Sequence, residues 1–120
     1  MPARRGILVS AVYVPDAGDL VWLTFDPQSG REQAGRRPAL LLSPKAYNAK
    51  SGLVLVCPIT NQVKGYPFEV AVAAGQGVTG VVLADHLMSV DWKARHAEKL
   101  GHCAPEVIDE VRARLAPMLG

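Results

Sequence analysis

Seven short apolar runs, each cut off by glycine, proline or a polar turn, fill the chain between residues 18 and 100: GDLVWLTF (18–25), PALLLS (38–43), LVLVCPI (53–59), FEVAVA (68–73), GVVLA (80–84), and the shorter stretches 87–92 and 97–100. They are rich in β-branched and aromatic side chains and arrive with turn signals about every ten residues, the pattern of short strands. Pro38 stands near the first residue of its run, where a missing N–H is tolerated, and the unbroken apolarity of PALLLS predicts burial on both faces or at an interface. Pro58 interrupts LVLVCPI and implies an edge, a bulge or a bend. FEVAVA alternates with Glu69 outward, and Gly75, Gly77 and Gly80 break the chain after it. Residues 43–52 (SPKAYNAKSG) read as a second polar connection.

The one helical pattern lies at the end. Pro105 suits a first helical position, Glu106, Asp109 and Glu110 favour the N-terminal half, Arg112 and Arg114 the C-terminal half, and Val107, Ile108, Val111 and Leu115 form one apolar stripe. A chain of 120 residues is enough for one modest core. The expectation is a mainly β protein: a single domain over residues 1–120, built as a small, strongly curved antiparallel barrel with a C-terminal α-helix.

The formal charge of +2 is unremarkable, but its distribution is uneven. Between residues 26 and 66 six basic residues (Arg31, Arg36, Arg37, Lys45, Lys50, Lys64) meet two acidic ones (Asp26, Glu32), whereas from residue 67 onward seven acidic residues meet five basic ones. One part of the chain offers a positive surface to an anion, and the remainder does not. Cys57 and Cys103 are too far apart and too few for a disulfide framework or a zinc site, and read as buried thiols of a reducing compartment. His86, His96 and His102 form no metal-ligand spacing and read as structural or surface residues. The start, MPARRGILVSAVYVP, makes a poor signal peptide, and no run reaches the ~18 apolar residues of a membrane span. A cytoplasmic protein with no membrane partner is expected.

The stretch FDPQSGREQAGRRPA (25–39) gathers three arginines around Glu32 in a connection long for a hairpin. A bound phosphodiester suits a bidentate guanidinium of Arg36 or Arg37. Glu32 is not needed for binding, and beside an anion it costs affinity. As a general base, however, it can take the proton of an RNA 2′-hydroxyl, while an arginine stabilises the charge developing on phosphorus, with no metal or other cofactor. A guanidinium is a poor proton donor, so Arg37 is assigned to charge stabilisation and the general acid is left open. The other reading is a solvated loop in which Glu32 only pairs with an arginine.

The run GDLVWLTFDPQSGREQAGRRPALLLSP, followed in order by YNAKSGLVLVCPITNQVKGYPFEV and GVVLADHLMSVDWKAR, strongly resembles the MazF/PemK/Kid family of toxin endoribonucleases, and MazF-like members in particular. The likeness runs from Val14 to the end and leaves residues 1–13 as an N-terminal extension: an added strand, an arm or an upstream start codon. The resemblance implies an SH3-like, or plasmid-toxin-like, barrel that forms a homodimer and cleaves single-stranded RNA, often mRNA, at short specific sites without metal, shutting down translation. It also implies a cognate MazE-like antitoxin that blocks the RNA groove, with DNA contacted only indirectly through that antitoxin. The family's motif residues fall on Glu32 as base, on Arg37 before proline, and on Thr60 in CPITNQ, whose hydroxyl holds the phosphate or polarises the ribose. Arg36 takes an RNA-backbone role, with Arg31 beside it.

Base contacts are assigned to Asn61, Gln62, Lys64 and Tyr66 of TNQVKGYP. Tyr66 stacks on a base or anchors the loop; Gln28 and Gln33 read base edges or are solvated. Thr24 stands in WLTFDP where family members can carry an aspartate (WVDFDP), which alters any substrate contact made from that position. Trp22 and Phe25 read as core or interface residues. A gyrase-trapping toxin of the same fold is the alternative in another class, but such proteins need a Trp-Gly-Ile ending and this chain ends Pro117-Met118-Leu119-Gly120.

Overall fold

The structure, a computed structural model, describes residues 13–25, 35–73 and 76–120. Gln28, Arg31, Glu32 and Gln33, and all of the expected N-terminal extension except Tyr13, lie outside the described residues. The elements are β1 (Asp19–Thr24), β2 (Arg36–Leu41), α1 (Lys45–Ser51), β3 (Leu53–Thr60), β4 (Glu69–Ala71), β5 (Val81–Leu83), a 3-10 turn (Ala84–His86), β6 (Met88–Asp91), β7 (Glu98–His102) and α2 (Pro105–Leu119). All strand pairs are antiparallel, in the order β4-β5-β3-β2-β1-β7 with β6 also on β3. This is the mainly β chain with a C-terminal helix read from the sequence. Among the described residues β4, β6 and β7 each pair with one neighbour only, so hydrogen bonding does not close the sheet into a ring.

Strand β3 explains how one sheet folds around two cores. Its first half pairs β6 from Leu53 to Val56, and its end pairs β5 at Ile59 and Thr60. The change of partner falls across Cys57 and Pro58, where the apolar run LVLVCPI is interrupted, and Pro58 has no N–H for either ladder. Beneath α2, Leu20, Leu40, Cys57, Ile59 and Val82 meet the helical stripe Val107, Ile108, Val111 and Leu115. On the other face Val21, Leu23, Ala39, Leu41, Val54, Val56, Val90 and Trp92 form a second cluster. Strand β2 is thus buried on both faces over Ala39–Leu41, as PALLLS requires.

The polar connection 43–52 is the main correction, because it contains α1. Pro44 caps the helix in an extended conformation, and Gly52 ends it at φ 76, donating its N–H to Asn48 O at 3.0 Å. The left-handed backbone at that position is one glycine adopts without strain. Seven residues are too few for an isolated helix to persist. What holds this one is Asn48, fully buried: its Nδ2 donates to Pro15 O and Ser43 O, and its Oδ1 accepts from Ser43 Oγ at 2.6 Å.

A second polar knot ties the start of β1 to the end of β7. Asp19, only 3 % exposed, accepts hydrogen bonds from the Tyr13 hydroxyl, the Asp16 N–H and, at 2.9 Å, His102 Nδ1, with Lys99 Nζ at 3.6 Å. Burial alone pushes the Asp19 carboxyl up, but the bonds from Tyr13, His102 and Asp16, with the Lys99 charge, outweigh it and hold the group below its ordinary value. Burial first, and then the Asp19 bond, push the Tyr13 phenol well above its usual range, consistent with Tyr13 as donor. Because Asp19 is more acidic folded than unfolded, its stabilisation is complete above the unfolded carboxyl range, about pH 4, and is lost as pH falls through the lower folded value. Melting temperatures of wild type and Asp19→Asn should therefore differ most above pH 5 and converge in stronger acid; a gap that widens on acidification contradicts the assignment.

Cys57 and Cys103 are buried free thiols, as read from the sequence. Burial, with a smaller contribution from Asp85, pushes Cys57 up to about 12, and burial also raises Cys103. Among the described residues no helix is long and apolar enough to cross a membrane.

Candidate active site

Two of the sequence-assigned catalytic residues come together through strand register. Strands β2 and β3 pair Leu41 with Val56, Leu40 with Cys57 and Ala39 with Pro58. Continued to the start of β2, this register sets Arg37 opposite Thr60. Cross-strand partners share a face of the sheet, and both residues line one cavity of about 440 Å³, a volume suited to a nucleotide-sized ligand. Arg37 is exposed and Thr60 partly so. The Thr60 Oγ1 accepts the Gln62 N–H at 3.0 Å, an arrangement that fixes the side chain and leaves its proton to donate into the cavity. The third catalytic residue, Glu32, lies outside the described residues.

The connection after Thr60 supplies the cavity rim. Gln62, Lys64 and Tyr66 line it, with Lys64 Nζ 5.9 Å from the Tyr66 ring centroid. The loop holds its shape without regular structure because Glu69, at the start of β4, accepts the N–H groups of Lys64 (3.1 Å) and Gly65 (2.9 Å). Arg114 on α2 donates to Pro67 O, tying the loop to the helix. Tyr66 is exposed, so it is available for stacking and does not anchor the loop from within the core. Asn61 does not line this cavity; its Oδ1 accepts the Thr79 hydroxyl at 3.2 Å, and it borders a separate cavity of about 630 Å³ with Trp22, Pro38 and Gly77. Gly80 is required at this junction: at φ 117 a Cβ there would sit 2.3 Å from Thr60 O.

Two sequence-assigned residues lie away from the cavity that holds Arg37 and Thr60. Arg36 was given an RNA-backbone role, and Thr24 a substrate contact. The Arg36 guanidinium donates to Thr24 Oγ1 (2.8 Å), Trp22 O (3.2 Å), His96 O (2.6 Å) and Glu98 Oε1 (2.9 Å). His96 stands at φ 54, a backbone that non-glycine residues rarely adopt. Its carbonyl is one of those that receive Arg36. Neighbouring residues of a strand point to opposite faces. Arg36 therefore clamps β1, β2 and the turn before β7 on one face, while Arg37 stands in the cavity on the other. Through its two terminal nitrogens Arg36 supports this corner of the sheet, with Thr24 as one of its acceptors.

The cavity also contains groups that sequence reasoning passed over. Phe25, read as core or interface, packs against the second core cluster and lines the cavity as well. Asp85 and His86 of the 3-10 turn form a further wall. As a lone histidine without metal-ligand spacing, His86 gave no sign of this in the sequence. It became visible only once β5 was paired with the end of β3, beside Thr60.

Comparison with known proteins shows the family. A family model described as PemK-like, MazF-like toxin of type II toxin–antitoxin system matches residues 16–119. The chain is 53 % identical over 108 residues to the endoribonuclease toxin MazF of Escherichia coli K12, covering 90 % of this chain and 96 % of that protein. Among solved structures it resembles MazF of Deinococcus radiodurans (59 % identity, TM-score 0.83, 91 % of this chain and 99 % of that one). It also resembles the MazE–MazF structure from the same organism (54 % identity, TM-score 0.81, 91 % and 98 %). With the fold and nearly the whole length matched, the chain belongs to the PemK-like, MazF-like toxins of type II toxin–antitoxin systems.

Proposed function

We propose that this chain is a sequence-specific endoribonuclease toxin that cuts single-stranded RNA, chiefly mRNA, without a metal ion or other cofactor and so inhibits translation. The observation that carries this reading is the placement of Arg37 and Thr60 across adjacent strands in one cavity rimmed by Gln62, Lys64 and Tyr66. A fixed guanidinium and a hydroxyl donor there suit the non-bridging oxygens of a phosphodiester, and the rim suits unstacked bases.

In the proposed reaction Glu32 takes the proton of the ribose 2′-hydroxyl, whose oxygen then attacks the adjacent phosphorus. Arg37 neutralises the charge that develops on the phosphoryl oxygens, and Thr60 orients the same group. The products are a 2′,3′-cyclic phosphate and a 5′-hydroxyl. Gln28, Arg31 and Gln33 are assigned to the RNA-facing loop with Glu32. The working unit is a cytoplasmic homodimer of single-domain protomers, restrained by a MazE-like antitoxin through which alone it meets DNA. The Deinococcus radiodurans MazF has been seen with MazE, which supports a partner of that kind.

A test incubates the pure protein with long defined RNA in excess chelator and maps the ends. Cuts at a short recurring sequence, leaving cyclic phosphate and 5′-hydroxyl termini, are expected. RNA that stays intact, or is cut only when a divalent cation is restored, rejects the proposal.

A further inference from the structure

Cleavage needs a proton for the departing 5′-oxygen, and neither Arg37 nor Thr60 is suited to give one. We propose that His86 is that proton donor, an inference that rests on the endoribonuclease reading above.

The cavity that holds Arg37 and Thr60 has three other side chains able to give up a proton from nitrogen or phenolic oxygen, Lys64, Tyr66 and His86; the Gln62 amide beside them does not ionise. A guanidinium keeps its proton at any working pH, and amines and phenols as classes release theirs only near pH 10. Imidazole is the one side chain of this set whose class exchanges a proton between about pH 5 and 8, where Brønsted behaviour makes a general acid most effective.

Position favours the same residue. His86 ends the 3-10 turn opened by Ala84, which is fixed on both sides: its N–H donates to Phe68 O at 3.0 Å, and its carbonyl accepts the Cys57 thiol at 3.7 Å. Asp85 Oδ1 lies 3.7 Å from His86 Nε2, an ion pair when the ring is protonated. The His86 side chain is 55 % exposed, open both to the cavity and to the water that must reload it. The other carboxylate in the cavity, Glu69, is engaged by the N–H groups of Lys64 and Gly65 and so does not compete for this task.

The step balances as follows. The base accepts the 2′-hydroxyl proton, a 2′-oxygen–phosphorus bond forms and the phosphorus–5′-oxygen bond breaks. The bonding pair leaves on the 5′-oxygen, which takes a proton from the His86 imidazolium. Neutral His86 regains a proton from water, and the base returns its own.

The test compares two oligonucleotides carrying the cut site mapped with the wild-type protein. One has the ordinary 5′-oxygen at the scissile bond, the other a bridging 5′-sulfur, a thiolate that leaves without protonation. His86→Ala and His86→Gln should lower kcat on the oxygen substrate by about 10²–10⁴-fold, the usual contribution of a positioned acid, with KM nearly unchanged. Both variants should cut the sulfur substrate almost as fast as wild type. Loss on both substrates alike makes His86 a structural or base-reading residue and overturns the assignment, as does wild-type speed on the oxygen substrate. Wild-type protein that cuts neither substrate nor long RNA rejects the nuclease reading itself, and the inference falls with it.

Discussion

Arg37→Ala should lower kcat/KM for RNA cleavage by about a thousandfold, the scale of removing a fixed group that faces developing charge. The residue is exposed at the start of β2, so thermal melts of the variant are run beside the assay and cleavage per folded molecule carries the comparison. Arg37→Lys separates two contributions. It restores the positive charge but not the planar fork, so it should recover only part of the activity. Arg36→Ala supplies the internal contrast, because that neighbour joins three segments through Thr24, Trp22, His96 and Glu98 and its loss should be read in stability as well as rate. The comparison is made by steady-state cleavage of one mapped site alongside thermal melts. Near wild-type cleavage by Arg37→Ala would remove phosphate stabilisation from this strand and leave the proposed mechanism without its cation.

Sequence legibility followed the physical signal available to each element. Strands β1, β2 and β3 were readable because apolar residues repeat on faces that are buried, and the stripe Val107, Ile108, Val111 and Leu115 because a helix must hide one side. The helix α1 escaped because it is held by Asn48 and by caps at Pro44 and Gly52, and one buried amide leaves no periodic trace. At the site, Arg37 and Thr60 were named from their motif context, but their juxtaposition comes from β2–β3 register, which a single sequence does not display. Arg36 shows the opposite limit. Adjacent arginines look equivalent in a string, yet strand alternation sends one to the cavity and the other to backbone carbonyls of a distant turn. His86 joins the site for a reason of the same kind: the 3-10 turn that carries it follows β5, and β5 pairs with the end of β3.

The largest stability effect is expected at Asn48. Replacing it by alanine keeps the backbone bonds of α1, including Trp92 Nε1 to Asn48 O at 2.8 Å, but deletes every side-chain bond of a residue with no exposed surface. Pro15 O and Ser43 O each lose a donor at 2.7 and 2.9 Å, and the Ser43 hydroxyl, which also accepts the Leu55 N–H, loses its acceptor. Each buried polar group left without a partner costs about 1–3 kcal/mol, so a total near 3 kcal/mol or more is expected, a fall in melting temperature of order 10 °C for a chain this size. Asn48→Asp is the sharper variant. It nearly preserves shape but turns the donor facing two carbonyls into an acceptor and buries a charge, so at neutral pH it should destabilise at least as much as alanine. Tyr47→Ala, one residue away and 44 % exposed, should move the melt far less. Asn48 does not line the Arg37 cavity, so cleavage per folded molecule well below the melt should be unaffected. An Asn48→Ala melt close to wild type would mean that α1 is held by its apolar contacts and caps, and that its buried amide adds little.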